Sequence, residues 1–138
     1  MFLLDTCVIS ELRPKLKKIN PGVLAWAGSI NPSQMFISSI TIFEIEMGIL
    51  AKERKDKKQG EALRLWFENQ VRPAFKSRIL PFGEDAAILC ASLHVPDPKA
   101  ERDGMMAAIA MEHRMPVVTR NERDFAYTGV KIINPWTE

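Results

Sequence analysis

Four carboxylates stand where an alternating strand–helix chain would present them. Asp5 ends the apolar run Phe2-Leu3-Leu4, and Glu44 lies in an apolar stretch that follows a second run, Met35-Phe36-Ile37-Ser38. Asp103 opens a helical pattern leading into Val117-Val118, and Asp124 follows that pair a few residues on. Acids this far apart in sequence meet through the fold. A convergent set of hard oxygen donors suits Mg²⁺, which takes one or two carboxylates together with waters and substrate phosphate. Such an ion activates water and neutralises charge on a phosphodiester under in-line attack.

Each acid also has a structural explanation. Asp5 fits a helix N-cap, a common use of Asp, with even weight against a functional role. Thr41-Ile42-Phe43-Glu44 matches the capping box S/T-x-x-E, which by itself is the better account of Glu44. Glu46 sits in the same apolar surroundings, and periodicity does not choose between the two glutamates. Asp103 in a first helical turn favours the macrodipole. Asp124 lies in the polar stretch Arg120 to Asp124, where a surface acid is ordinary.

The elements that would position these residues follow from pattern. Short apolar runs at 2–4, 35–38, 78–81, 116–119 and 131–133 read as strands. Helical patterns run over 6–12, 20–30, 39–51, 59–75, 84–94 and 100–114. Asn20-Pro21 is a helix start, Pro73 limits the end of its helix, and two prolines keep 95–99 irregular. The 39–51 helix is apolar on nearly every side and reads as buried. Ala87, Ile88, Ala91 and Leu93 read as the inward face of 84–94, and the charged run 52–58 reads as a connection. Strands alternating with helices give an α/β fold with a central parallel sheet of four or five strands flanked by helices.

The totals narrow the class. At 138 residues, 46% hydrophobic and 26% charged, the chain reads as one globular domain spanning 1–138. No apolar run reaches membrane-span length, and Asp5 interrupts the first run with no basic segment before it, so a soluble cytoplasmic protein without a signal peptide is expected. Two cysteines are too few for a disulfide framework or a thiolate zinc site. Cys7 has no histidine near it in sequence and reads as a small buried residue rather than a nucleophile. Neither the P-loop nor the dinucleotide glycine fingerprint occurs, nor does the G-x-S-x-G elbow. Net charge is +2, but residues 13–18, 52–58 and 72–78 are locally basic. The first two are candidate RNA surfaces, with solvated helix ends as the plainer reading.

Taken in order, these motifs resemble the PIN domain of the VapC type, the toxin half of bacterial toxin–antitoxin pairs. Phe2-Leu3-Leu4-Asp5-Thr6 with Ile9-Ser10-Glu11-Leu12-Arg13 resembles its opening, and Ser38 through Gly48 its second motif. Asp103-Gly104-Met105-Met106-Ala107-Ala108-Ile109-Ala110 resembles the third. Val118 through Phe125 and the closing Asn134-Pro135-Trp136 resemble the last. The resemblance implies a single PIN-like domain and a metal-dependent endoribonuclease using Mg²⁺ or Mn²⁺. Asp5, Glu44, Asp103 and Asp124 would form the catalytic pocket, with Asp5 and Asp103 the firmest metal ligands and Thr6 and Asn121 supporting polar groups. It further implies a homodimer, a cognate antitoxin that alone contacts operator DNA, and cellular RNA, transfer RNA included, as substrate.

Three positions depart from the family pattern. Cys7 stands where Asn is usual, the Pro96 to Arg102 approach is shorter and more charged, and Gly104 puts a weak helix former beside Asp103. Two rivals share the same acids. One is a non-catalytic PIN-like module that binds RNA or a partner without cutting. The other is a metal-dependent deoxyribonuclease.

Overall fold

A computed structural model describes residues 1–14 and 17–137, so Lys15 and Leu16 of the basic segment 13–18 lie outside the described residues. Five strands form one parallel sheet: β1 (Phe2–Leu4), β2 (Met35–Ser38), β3 (Ile79–Leu80), β4 (Val117–Val118) and β5 (Ile132–Ile133). Their spatial order is β3-β2-β1-β4-β5, with every adjacent pair parallel. The chain steps outward from β1 to β2 to β3, then crosses back to lay β4 on the other side of β1. That reversal puts the sheet's switch point between β1 and β4, and the crevice beyond their carboxyl ends is where open α/β sheets bind ligands. Leu4 pairs with Val118 in this register, so Asp5 and Thr119 emerge side by side at the crevice.

Alternation along the strands builds two cores. Leu3 and Val117 face one layer, with Ala86, Cys90, Met106 to Ala110 and Phe125. Leu4 and Val118 face the other, with Val8, Ile9, Ile37, Ile45, Ile49, Phe67 and Val71. Helices α1 (Thr6–Leu12), α2 (Pro21–Ser29), α3 (Ser39–Lys55) and α4 (Lys57–Trp66) precede β3, and α4 runs on through a π-helical turn (Phe67–Val71) into α5 (Arg72–Ala74). Pro73 removes one N–H from that stretch, and the widened turn precedes it. Helices α6 (Glu84–Leu93), α7 (Glu101–Glu112) and the short α8 (Glu122–Phe125) complete the layers. In α7 the run Met106 to Ala110 is fully buried, its alanines allowing close approach to the sheet.

Helix α3 differs from expectation in two ways. It continues to Lys55, because Lys, Glu and Arg are good helix formers. Lys52, Arg54 and Lys55 fall in its last turn, where cations suit the macrodipole. The basic run 52–58 is therefore a helix hairpin rather than an open loop, with Asp56 capping α4. Gly60 closes that hairpin, since a Cβ there would sit 2.6 Å from the Glu53 Cα. Nor is α3 buried all round: Phe43, Met47 and Leu50 form an exposed apolar stripe at i, i+4 and i+7. In α6, Ala86 and Cys90 face inward while Ile88 is exposed, so its inward face lies about a quarter-turn from the one its apolar pattern suggests.

The start of α3 decides where Glu44 can point. Its N-cap is the buried Ser38, whose hydroxyl accepts from the Thr41 N–H at 3.2 Å. Thr41 is thus already inside the helix, and Glu44 closes no capping box with it. Ser38→Ala is expected to cost about 1 kcal/mol, the usual worth of an N-cap, seen as a lower urea midpoint at unchanged slope.

Candidate active site

The two acids of α3 have separate fates. Glu46 makes a bidentate pair with Arg64 of α4, at 2.5 and 2.7 Å, and the guanidinium holds its carboxyl below the usual carboxylate range. Glu44 points the other way, into a cavity of about 500 Å³ lined by Ala100, Glu101, Arg102, Asp103, Asn121 and Asp124. Tertiary contact, not periodicity, separates the two.

Four short contacts hold Glu44 and Asp5. Thr6 at the start of α1 places its hydroxyl 2.6 Å from Glu44 Oε1 and 3.0 Å from the Thr41 hydroxyl. A hydroxyl carries one proton and a carboxylate only accepts, so Thr6 donates to Glu44 and Thr41 donates to Thr6. Glu44 Oε2 lies 3.1 Å from Arg102 Nε. Asp5 is 5% exposed and serves two elements. Its Oδ1 accepts from the Thr6 N–H at 2.7 Å, capping α1, and its Oδ2 accepts from the Thr119 hydroxyl at 2.7 Å across the switch point. The capping and functional readings of Asp5 are therefore not exclusive.

Thr119, overlooked in the sequence, is the residue that locks Asp5. It is fully buried, donates to Asp5, and accepts from the Asn121 N–H at 2.9 Å. Asn121 in turn sits before α8, which carries Asp124 to the cavity rim. A hydroxyl directly after a strand is no signal by itself; the register that sets Thr119 level with Asp5 supplies its meaning.

Electrostatics link the group. The Asp103 carboxyl is pushed from 3.8 up to about 6, first by burial and then by the charges of Asp5, Asp124 and Glu44, with Arg102 pulling the other way. Cys7 is half-buried, packed against the core that holds Leu4 and Val118, and its thiol also reaches the site. Its Sγ lies 3.6 Å from Asp5 Oδ2 and 3.7 Å from the Thr119 hydroxyl. Burial and the Asp5 charge raise its thiol to about 11. It remains a protonated thiol, replacing with a weak S–H contact the polar group expected there and excluding a thiolate nucleophile. Gly104 is explained by packing, since a Cβ there would lie 3.1 Å from His94 Nε2 and 3.4 Å from the Tyr127 hydroxyl.

The donors suit a hydrated divalent ion. Among the described residues, no three His, Cys, Asp or Glu side chains are gathered tightly enough to enclose a metal directly. Mg²⁺ does not need such a cage, because it keeps several waters and binds through one or two carboxylates. Beyond its burial, the Asp103 carboxyl is held up by the charges of Asp5, Asp124 and Glu44, and a cation at this cavity would offset that part of the shift.

The family model for the PIN domain matches residues 2–131. The chain belongs to the PIN-domain family. Toxin FitB of Neisseria gonorrhoeae is 37% identical over 142 aligned residues, covering 99% of each chain. VapC ribonuclease Y4jK of Sinorhizobium fredii is 36% identical, covering 99% of this chain and 98% of that protein. The structure of FitAB bound to an IR36 DNA fragment superposes with a TM-score of 0.87 at 35% identity, covering all of this chain and 97% of that one. The parallel five-stranded sheet of this PIN domain is the fold expected from the strand–helix alternation, at the upper end of the four or five strands read from sequence.

Proposed function

We propose that this PIN domain is a metal-dependent endoribonuclease, the toxin of a type II toxin–antitoxin pair. The observation that carries the reading is a convergence: burial first, and then the charges of Asp5, Asp124 and Glu44 from distant parts of the chain, raise the carboxyl of Asp103 to about 6 beside the acid-lined cavity. A structural protein gains nothing by crowding carboxylates at a cavity. A site for a divalent cation and a phosphodiester does. The name VapC ribonuclease borne by one relative, and the name toxin borne by another, support the same reaction and role.

Asp5 and Asp103 hold the ion, Mg²⁺ with Mn²⁺ as substitute, and Glu44 and Asp124 complete the acidic pocket. When bound, the ion supplies an activated water and neutralises charge developing on the scissile phosphate. The protein keeps these oxygens from drifting: Thr119 and the α1 N-terminus fix both oxygens of Asp5, and Thr6 fixes one oxygen of Glu44. Preorganisation of this kind lets donor and acceptor positions act without rearrangement in the transition state. The partners are a cognate antitoxin, which brings the pair to operator DNA, and a second copy of this chain. The substrate is cellular RNA, with transfer RNA the first to try, and the setting is the cytoplasm.

The test uses total RNA and an equimolar duplex DNA, each with Mg²⁺, with Mn²⁺ and with EDTA. Cleavage of RNA in the metal arms and none in EDTA is expected. Glu44→Gln is expected to lower the rate, while Glu46→Gln, whose carboxyl serves only the α3–α4 pairing, leaves it at the wild-type level. Cleavage that persists in EDTA removes the metal mechanism, and cleavage of DNA alone turns the assignment to a deoxyribonuclease. RNA bound but uncut at every metal concentration makes the protein a binding module.

A further inference from the structure

We propose that Arg102 is the substrate-phosphate clamp of this site: it rests beside Glu44 in the free protein and moves onto a non-bridging oxygen of the RNA phosphate. The inference builds on the ribonuclease reading and names a residue for which that reading has no role.

The first observation is charge. Of the residues lining the acidic cavity, Glu44, Glu101, Asp103 and Asp124 are carboxylates, and Arg102 is the one cation. A polyanion entering among four carboxylates meets repulsion that bound metal offsets only in part, so a protein cation at the mouth has an evident use. Two other cations of these segments, Lys99 and Arg120, are absent from that lining. Lys99 lies over the Tyr127 ring and Arg120 over Trp136.

The second observation is how loosely Arg102 is held. Its Nε approaches Glu44 Oε2 at 3.1 Å, but the contact is Coulombic, and among the described residues no hydrogen bond ties its guanidinium down. Its side chain is 47% exposed against 22% for Glu44. Arg64 on the neighbouring helix is the contrast, with two hydrogen bonds to Glu46 and a third contact to Glu53. Arg64 is committed to structure. Arg102 lines the cavity and carries a planar fork of donors, the geometry that suits phosphate oxygens.

The third observation is placement. Arg102 lies in the first turn of α7, a twelve-residue helix whose N-cap, Ala100, has no side-chain acceptor to offer. Ala100 through Asp103 all line the cavity, so the first-turn N–H groups and the arginine approach it together. The Phe43 ring, 5.9 Å from the guanidinium carbon, gives the side chain an apolar support to pivot on.

The clamp predicts opposite effects on two ligands, which a purely structural role for Arg102 does not. Mn²⁺ titrated calorimetrically into the RNA-free protein should bind several-fold more tightly to Arg102→Gln than to wild type, because Glu44 loses its resident counter-charge. The KM for a single-stranded RNA oligonucleotide should rise about 10- to 100-fold in the same variant, the worth of one charge-assisted hydrogen bond. The slope of log(kcat/KM) against log salt should become shallower by about 0.7, one phosphate contact to a single strand. Arg102→Lys should restore the salt slope and only part of the KM. An unchanged KM and slope in Arg102→Gln, or weakened Mn²⁺ binding, overturns the clamp while leaving the nuclease reading intact. A wild-type protein that neither binds Mn²⁺ nor cuts RNA overturns the reading and the clamp with it.

Discussion

Asp103→Asn is expected to remove RNA cleavage, by on the order of a thousandfold, and yet to make the metal-free protein more stable at neutral pH. On the proposed mechanism the first effect follows from losing a ligand to an ion that would contribute several kcal/mol of charge stabilisation. The second follows from linkage. The carboxyl of Asp103 rises from 3.8 to about 6 on folding, so between those values the folded state holds more protons than the unfolded one. Stability then falls as pH rises through that window. The penalty is absent below about pH 4 and fully present above about pH 6, opposite in sign to a carboxylate stabilised by a salt bridge. The gap is worth at most about 3 kcal/mol, and solvent at this half-open site screens it toward about 1–2 kcal/mol. Asn carries no charge and escapes the penalty.

Urea melts of wild type and Asp103→Asn in EDTA, at pH 4 and pH 7, measure this directly. The variant should gain on wild type as pH rises. Saturating Mg²⁺ should reverse the order at pH 7, because a ligand at a hundred times its Kd adds about 2.7 kcal/mol to a protein that binds it and nothing to one that does not. Asp103→Asn being less stable than wild type at pH 7 without metal would instead mark Asp103 as a structural acid.

Much of the placement of this candidate site was legible in sequence because the fold is periodic and Asp5 and Asp103 sit at element ends. Asp5 after one apolar run and Asp103 at a helix start are readable from pattern, since a parallel sheet presents its strand ends on one edge. Glu44 was not separable from Glu46 by pattern. The separation depends on Arg64, eighteen positions beyond Glu46, which helix-local rules do not see. Thr119 was passed over because a lone hydroxyl after a strand has no sequence signature. Its meaning comes from the β1–β4 register that sets it beside Asp5. Arg102 reads from sequence as one charge in a charged approach to Asp103, and only the cavity sets it among acidic neighbours. The run 52–58 was misjudged because charge was weighed above helix propensity, and there the propensity of Lys, Glu and Arg won. The exposed Phe43, Met47 and Leu50 also read as buried, since an apolar pattern states a preference for cover and not what provides it.

Asp5 offers the sharpest separation between holding the fold and holding a metal. Both Asp5→Asn and Asp5→Ala are expected to lose cleavage, again by on the order of a thousandfold, since neither supplies an anionic oxygen. Their stabilities should differ. Asn keeps an acceptor for the Thr6 N–H, so the α1 cap survives. Its amide NH₂ then faces Thr119, which already receives the Asn121 N–H and whose own proton must turn toward the Cys7 sulfur at 3.7 Å. Ala loses the cap and leaves the fully buried Thr119 hydroxyl without its acceptor. Both variants equally relieve the repulsion that Asp5 exerts on Asp103, so that gain cancels in the comparison. What remains is the cap and the better-satisfied hydroxyl, about 1–2 kcal/mol in favour of Asn. Denaturant midpoints of the two variants in EDTA read this difference, and cleavage assays with Mg²⁺ read the shared loss. Equal midpoints would remove the capping role from Asp5, and wild-type cleavage by Asp5→Asn would remove it from the metal site.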